Sequence, residues 1–266
     1  MFAKLPALIS CLLLLALQPA MAKECVILIH GLAKSSGSMN TLEKHLKAQR
    51  YTVVNLDYPS THFDIQTLAQ NYIPQALFKC DSHSTIHFVT HSMGGILLRQ
   101  YLTQHDIPRL GRVVMLAPPN QGSELVDKLY GVPGYRLIGG PASTQLGTRS
   151  EHLPPNLGEA HYELGIVAGN RSLNPILSRF IPQRDDGKVS VRNTRLRGMR
   201  AHLIAPTSHI FIMQHPLVIE QTLHFLDSGT FMARHDSHST TGFSAIHTWW
   251  RRHFWQPYLQ CEGMCV

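Results

Sequence analysis

The segment His87-Phe88-Val89-Thr90-His91-Ser92-Met93-Gly94-Gly95 passes from an apolar, strand-like run straight into an apolar helix beginning Ile96-Leu97-Leu98. No loop separates the two. A strand that becomes a helix within one residue must turn sharply at that residue, which is Ser92. Such a turn strains the backbone and lifts the hydroxyl clear of the sheet, and it tolerates only small neighbours because strand and helix pack closely there. Gly94 and Gly95 meet that need downstream. The helix that follows would bring its unpaired N–H groups and positive dipole end beside the hydroxyl, where negative charge develops in acyl transfer. The pattern approaches G-x-S-x-G, with Thr90 in place of the first glycine. The plain alternative is a serine at an ordinary helix N-cap.

The flanking sequence alternates strand and helix. Residues 25–29 (CVILI) form a short continuous apolar run, as in a strand buried on both faces of a parallel sheet. Met39, Leu42 and Leu46 fall on one helix face. Residues 51–56 (YTVVNL) read as a strand. Residues 64–78 read as a helix, with Pro74 marking a kink or break. Strands are expected at 85–90, 112–116, 164–168 and 202–205, and helices at 94–104 and 217–226. Residues 118–160, rich in Pro, Gly, Ser and Asn, read as irregular. This order implies a mostly parallel sheet with helices on both faces, right-handed crossovers and a site at the carboxyl ends of the strands.

Three further elements bear on chemistry. Ile27 to Leu32 (ILIHGL) ends a strand in His-Gly and aims backbone N–H groups into the strand-end cleft. The N–H groups of Leu32 and Met93 are expected to form an oxyanion hole, with the His30 side chain structural. An unactivated serine needs a base. Among 17 histidines, His209 is favoured because it follows the strand at 202–205. His202 lies within that strand, and His215 and His224 lie in the last helix, where histidines are more often structural. The base needs a carboxylate to fix its tautomer. Asp185 and Asp186 both stand before Gly187. Asp186 is preferred, because D-G-x-V sets a carboxylate on a glycine turn entering extended chain. The catalytic set expected is therefore Ser92, Asp186 and His209. His235, Asp236 and His238 resemble metal ligands, but they sit in a polar stretch with no preceding strand, and no metal is expected there.

The domain organisation expected is a signal peptide at 1–22, a catalytic domain at 23–228 and a basic, aromatic tail at 229–266. Lys4, the apolar run 8–17 and Ala20-Met21-Ala22 form the signal pattern; an uncleaved anchor is the alternative. Hydrophobic content of 44% with 15% charged residues fits a globular enzyme rather than a disordered chain. The formal charge is +7, but it is scattered, and neither Arg251-Arg252 nor the 192–200 stretch resembles a nucleic-acid module. After loss of Cys11 four cysteines remain, Cys25, Cys80, Cys261 and Cys265. An even number suits an oxidising compartment, hence export to the periplasm or medium. Cys25 and Cys80 each precede a strand, so a Cys25–Cys80 bond and a local Cys261–Cys265 bond are the expected pairing among three possible ones. Free buried thiols are the alternative.

These residues together resemble the lipase and esterase branch of the α/β-hydrolase superfamily. The resemblance rests on VILIHGL at 26–32, HFVTHSMGG at 87–95, VVMLAPPNQGS at 113–123, DDGKVSV at 185–191 and PTSHIFIM at 206–213. The segment APPNQGS is similar to the family's A/T-P-H-x-G-S, with Asn120 where a histidine is usual. The early start of the oxyanion strand resembles small bacterial lipases that lack the fold's first strands. The resemblance implies hydrolysis of carboxylic, including lipid, esters with no cofactor. Thr90 is the chief departure and bears on the geometry of the serine.

An acyl pocket or lid would fall within 119–162, where Leu125, Val126, Leu129, Tyr130, Val132, Tyr135, Leu137 and Ile138 could line it or could simply be core. Trp249, Trp250, Arg251, Arg252, Phe254 and Trp255 in the tail suit a lipid headgroup region, or else pack on the domain. A small-molecule or lipid ester is the expected partner, with no nucleic acid, and the chain is expected to be a monomer. Two other readings are an acyltransferase with the same triad, separable by product analysis with an added acceptor alcohol, and an inactive, lipid-binding hydrolase fold.

Overall fold

A computed structural model describes residues 24–233. The expected signal peptide at 1–22, the metal-like His235-Asp236-His238 cluster, the tail aromatics from Trp249 to Trp255 and the expected Cys261–Cys265 pair lie outside the described residues.

Six strands form one parallel sheet: β1 Glu24–Ile29, β2 Thr52–Leu56, β3 Thr85–His91, β4 Leu110–Leu116, β5 Leu164–Gly169 and β6 Ala201–Ala205, in the order β2-β1-β3-β4-β5-β6. The helices are α1 Asn40–Ala48, α2 Ile65–Phe78, α3 Met93–Leu102, α4 Glu124–Leu129, α5 Tyr135–Ser143, α6 Pro175–Ser178 and α7 Pro216–Ser228. The doubly covered parallel sheet agrees with the sequence reading. Successive residues of β1 go to opposite faces. Cys25, Ile27 and Ile29 pack with α2 and α3, while Val26 and Leu28 pack with α1 and α7. Every residue from Cys25 to Ile29 is fully buried, which explains a run with no polar alternation.

This arrangement also locates a cleft. The chain leaves β1 into α1 on one face and leaves the neighbouring β3 into α3 on the other. At such a switch point the two connections diverge and open a crevice at the carboxyl ends of the strands. The loops after Ile29 and His91 meet there.

Two expectations are corrected. Of the kink or break expected at Pro74 the break is excluded, because helix α2 continues through it. Pro74 and Gln70 lie on its exposed face, where a carbonyl that loses its helical donor can be solvated. Residues 118–160 are not irregular throughout, since they hold α4, α5 and a short 3-10 turn at Pro154–Asn156. Glycines 139 and 140 with Pro141 hide α5 from a sequence reading, and the chain kinks at Gly140. This segment is organised by a buried cation. The Arg99 guanidinium donates to the carbonyls of Asn120, Pro154 and Gly158 at 2.9–3.2 Å and to the Asn120 side chain at 3.2 Å. Burial holds its pKa down to about 10. Asn120 completes the tie by donating to the Thr194 carbonyl at 2.8 Å. Asn120 is therefore a structural brace.

A disulfide joins Cys25 to Cys80, with Cα atoms 5.9 Å apart and a sequence separation of 55. Closing a loop of that length restricts the unfolded chain by an amount worth about 4 kcal/mol in the chain-entropy account. The Cys25→Ala/Cys80→Ala variant should therefore lose roughly 2–4 kcal/mol. Its thermal midpoint should fall by roughly 5–15 °C. Thermal unfolding of both proteins, with and without reductant, measures this; equal midpoints would show that the bond does not constrain the unfolded state.

Candidate active site

The turn after β3 has the strained form its sequence requires. Ser92 sits at φ 53° and ψ −123°, a region that non-glycine residues occupy only when their surroundings impose it. Its N–H donates to the Leu116 carbonyl at 2.9 Å, and its own carbonyl accepts from the Gly95 N–H at 3.0 Å. Close packing dictates the glycines. A Cβ on Gly94 would lie 2.5 Å from the Ile29 carbonyl oxygen. A Cβ on Gly95 would lie 3.1 Å from Thr90 Oγ1, so the space Gly95 leaves free is what admits threonine at position 90.

Ser92 is partly exposed, whereas His209 and Asp186 are buried. His209 Nε2 lies 2.9 Å from Ser92 Oγ, and His209 Nδ1 lies 2.8 Å from Asp186 Oδ2. The backbone locks the same pair, because the His209 N–H donates to the Asp186 carbonyl at 2.9 Å. Asp186 Oδ1 accepts from the N–H groups of Lys188 and Val189 at 3.0 and 2.9 Å. Gly187, at φ 97°, makes the turn that aims those donors at the carboxylate. The neighbouring Asp185 is used otherwise, its Oδ1 accepting from Ser178 Oγ at 2.8 Å and the Gly187 N–H at 2.7 Å. Serine, imidazole and carboxylate thus form one hydrogen-bonded line drawn from loops after β3, β6 and β5. With Nδ1–H given to the carboxylate, Nε2 is the atom left to accept the serine proton.

The loop after β1 faces this line. Gly31 packs on the serine, where an added Cβ would come within 3.1 Å of Ser92 Cβ. Leu32 follows it, and Met93 opens α3. Neither the Leu32 nor the Met93 N–H is taken by a protein acceptor among the described residues. His30 shapes the loop from beneath. Its Nδ1 pairs with the Gly31 carbonyl at 2.9 Å, its Nε2 takes the Tyr58 N–H at 3.4 Å, and its ring stacks on Tyr58 with centroids 4.1 Å apart. Burial lowers the His30 pKa, against a smaller upward pull from the Gly31 bond. That keeps the ring neutral, as one donor and one acceptor require. Ser60 Oγ accepts the Ala33 N–H at 3.0 Å and ties down the far side of the loop.

Three contributors escape the sequence reading. His91 is buried beneath His209, its Nε2 3.0 Å from the His209 carbonyl and the two rings 4.9 Å apart. Burial first, then repulsion by His209, holds its pKa well below the usual histidine range. Nothing in the strand pattern marks it beyond its place beside Ser92. Tyr58 and Ser60 were findable, since Ile29 pairs with Leu56 and the residues after each strand must therefore meet. The competing histidines are elsewhere. His202 bonds Thr194 Oγ1 at 2.9 Å and is driven down to about pKa 4 by burial and by Arg195. His215 precedes α7 as its N-cap residue, and His224 binds the Thr230 carbonyl at 2.7 Å.

The residues considered for an acyl pocket divide. Leu125 and Val126 are core, Leu129 and Tyr135 are half-buried, and Tyr130, Val132, Leu137 and Ile138 are exposed. Helix α5, which carries Leu137 and Ile138, lies against the Leu32 side chain near Gly139.

Comparison with known proteins agrees with this architecture. No curated protein is significantly similar in sequence. Among solved structures, the mature lipase BlEst2 of Bacillus licheniformis superposes with a TM-score of 0.61 at 20% identity, over 80% of this chain and 94% of that one. The phospholipase PlaB of Legionella pneumophila gives 0.60 at 16% identity, over 79% and 60%. A metagenomic carboxyl esterase, MGS0156, gives 0.52 at 17% identity, over 73% and 66%. At these identities the likeness is one of fold. The model of the Alpha/beta hydrolase family matches residues 26–204, well over half of the 266 residues, and the chain belongs to that family.

Proposed function

We propose that the protein is a serine hydrolase of carboxylic esters. The observation that carries this reading is the unbroken line from Asp186 through His209 to Ser92, with spacings of 2.8 and 2.9 Å. Ser92 Oγ attacks the ester carbonyl carbon as its proton passes to His209 Nε2. Asp186 holds the ring in the required tautomer and stabilises the imidazolium. The N–H groups of Leu32 and Met93 receive the carbonyl oxygen as it becomes negative. Collapse breaks the bond to the alcohol oxygen, which takes the proton from His209. Water then repeats the sequence on acyl-Ser92 and releases the acid. Every proton is passed between Ser92, His209, alcohol and water, so the chemistry calls on no cofactor.

The exposed apolar side chains of α5, beside the oxyanion loop, support an acyl-bearing substrate. The Cys25–Cys80 bond supports export, because such bonds persist in oxidising compartments. No helix among the described residues is long and apolar enough to cross a membrane.

A neutral fluorophosphonate is expected to modify the folded protein once, at Ser92, as mapped by peptide mass spectrometry. A series of chromogenic esters of increasing chain length is expected to be hydrolysed by the same preparation. Folded protein that resists the probe would overturn the reading in favour of an inactive, ligand-binding hydrolase fold.

A further inference from the structure

Two lysines stand at this site, and the mechanism above uses neither. Lys34 follows the oxyanion loop by two residues. Its position is fixed by the left-handed Ala33 at φ 53° and by the bond from the Ala33 N–H to Ser60 Oγ. Lys188 follows Asp186 by two residues. Its backbone is held from both sides, its N–H donating to Asp186 Oδ1 and its carbonyl accepting from Ser123 Oγ at 2.7 Å. The two loops approach the serine from different strands, and both side chains are exposed. Both ammonium groups act electrostatically on the buried ring of His91, the residue beside Ser92. They also act on each other. Surrounding protein atoms, followed by repulsion from Lys34, lower the Lys188 pKa, and Asp186 pulls it partly back.

Paired like charges are destabilising unless something offsets them, and here Asp186 offsets only part of the repulsion at Lys188. Among the described residues neither ammonium has a carboxylate within ion-pairing distance. The nearby acids are committed. Asp186 serves His209, Asp185 serves Ser178 and Gly187, and Asp57 accepts the Ser36 N–H at 2.8 Å. Glu124 accepts from Ser190 Oγ at 2.8 Å. The loops after β1 and β5, on either side of β3, therefore each carry one lysine with no ion-pair partner among the described residues.

We infer that Lys34 and Lys188 select esters carrying an anionic group, a carboxylate or a phosphate, close to the scissile carbonyl. The inference rests on the hydrolase reading and narrows its substrate class. Two positive charges on the loops that flank the serine raise the local concentration of an anion and favour binding of an ester that carries one. Because the pair is exposed, the effect must weaken with salt.

The test uses matched chromogenic esters, neutral or bearing one carboxylate or one phosphate, with the charge on the acyl side in one arm and on the alcohol side in the other. In wild type, kcat/KM for at least one anionic ester should exceed that for its neutral partner by about tenfold at low salt, a modest steering effect. The advantage should shrink in 0.5 M salt. Lys34→Met/Lys188→Met should abolish it, whereas Lys79→Met, at the exposed C-cap of α2, should preserve it. The arm that responds tells which side of the ester the anion occupies. No advantage in wild type, an advantage kept by the double variant, or one lost equally in Lys79→Met would each overturn the inference. If no ester of either kind is cleaved and the fluorophosphonate leaves Ser92 unmodified, the hydrolase reading falls and takes this inference with it.

Discussion

Replacing Ser92 by alanine is expected to reduce kcat/KM for any ester the protein cleaves by roughly four to six orders of magnitude, and His209→Ala should do nearly the same. The two residues act as one unit. Without Oγ no acyl intermediate forms. Without the ring nothing removes the Oγ proton, and a serine hydroxyl at its ordinary pKa is a poor nucleophile. The losses should therefore not add, and Ser92→Ala/His209→Ala should be little worse than either single variant. The residue of activity would come from the backbone donors at Leu32 and Met93 and from substrate binding. His202→Ala is the control. That ring bonds Thr194 Oγ1 at 2.9 Å, within β6 rather than in the cleft, and its loss should change kcat/KM by no more than a few fold. Initial rates on one chromogenic ester decide the matter. A well-folded Ser92→Ala protein keeping more than about a hundredth of wild-type activity would be incompatible with covalent catalysis at this serine.

How far these features can be read from sequence depends on how local their cause is. Residues 25–29 and 85–90 announce themselves because burial on both faces favours apolar, β-branched and aromatic side chains along the run. The turn at Ser92 is equally local, since strand and helix pattern abut there and Gly94 has no room for a Cβ. His209 could be singled out because chain order and strand order agree along β3, β4, β5 and β6, so the loop after the last strand must lie on the same edge as the serine. Other features are not local. Pro74 signals a kink or break, yet the helix continues, with the proline on its exposed face. The segment that carries α4 and α5 is tied at its two ends by Arg99 through carbonyls at positions 120, 154 and 158, a tie that no periodicity encodes. His91 reads as one more strand residue, and only the fold brings its ring against His209. The cations at 34 and 188 look like scattered surface charge, because their meaning lies in the loops they share with Gly31 and Asp186.

The choice between the two adjacent aspartates carries the second large effect. Asp186→Asn should lower kcat by about four orders of magnitude, and the geometry says why. Asp186 Oδ1 is fixed by two donors, the N–H groups of Lys188 and Val189. An asparagine must keep its oxygen on that side, because turning the amide would set its NH2 against both donors. The NH2 group then faces His209 Nδ1, 2.8 Å away in the wild type. It can only donate there, so Nδ1 becomes the acceptor and the ring proton moves to Nε2. A ring protonated on Nε2 presents a donor to Ser92 Oγ and cannot take its proton. The variant should therefore fold normally and bind substrate while failing at proton transfer. The fall should appear in kcat, with a much smaller change in KM. Asp185→Asn makes the complementary test. Its oxygen can still accept the Gly187 N–H, and the weakened bond to Ser178 should cost about 1 kcal/mol of stability, with kcat within a few fold of wild type. Rates and thermal midpoints on the two variants separate these expectations. If Asp185→Asn proved the more damaging to kcat, the carboxylate that orients His209 in solution would be the one this structure assigns to capping a turn.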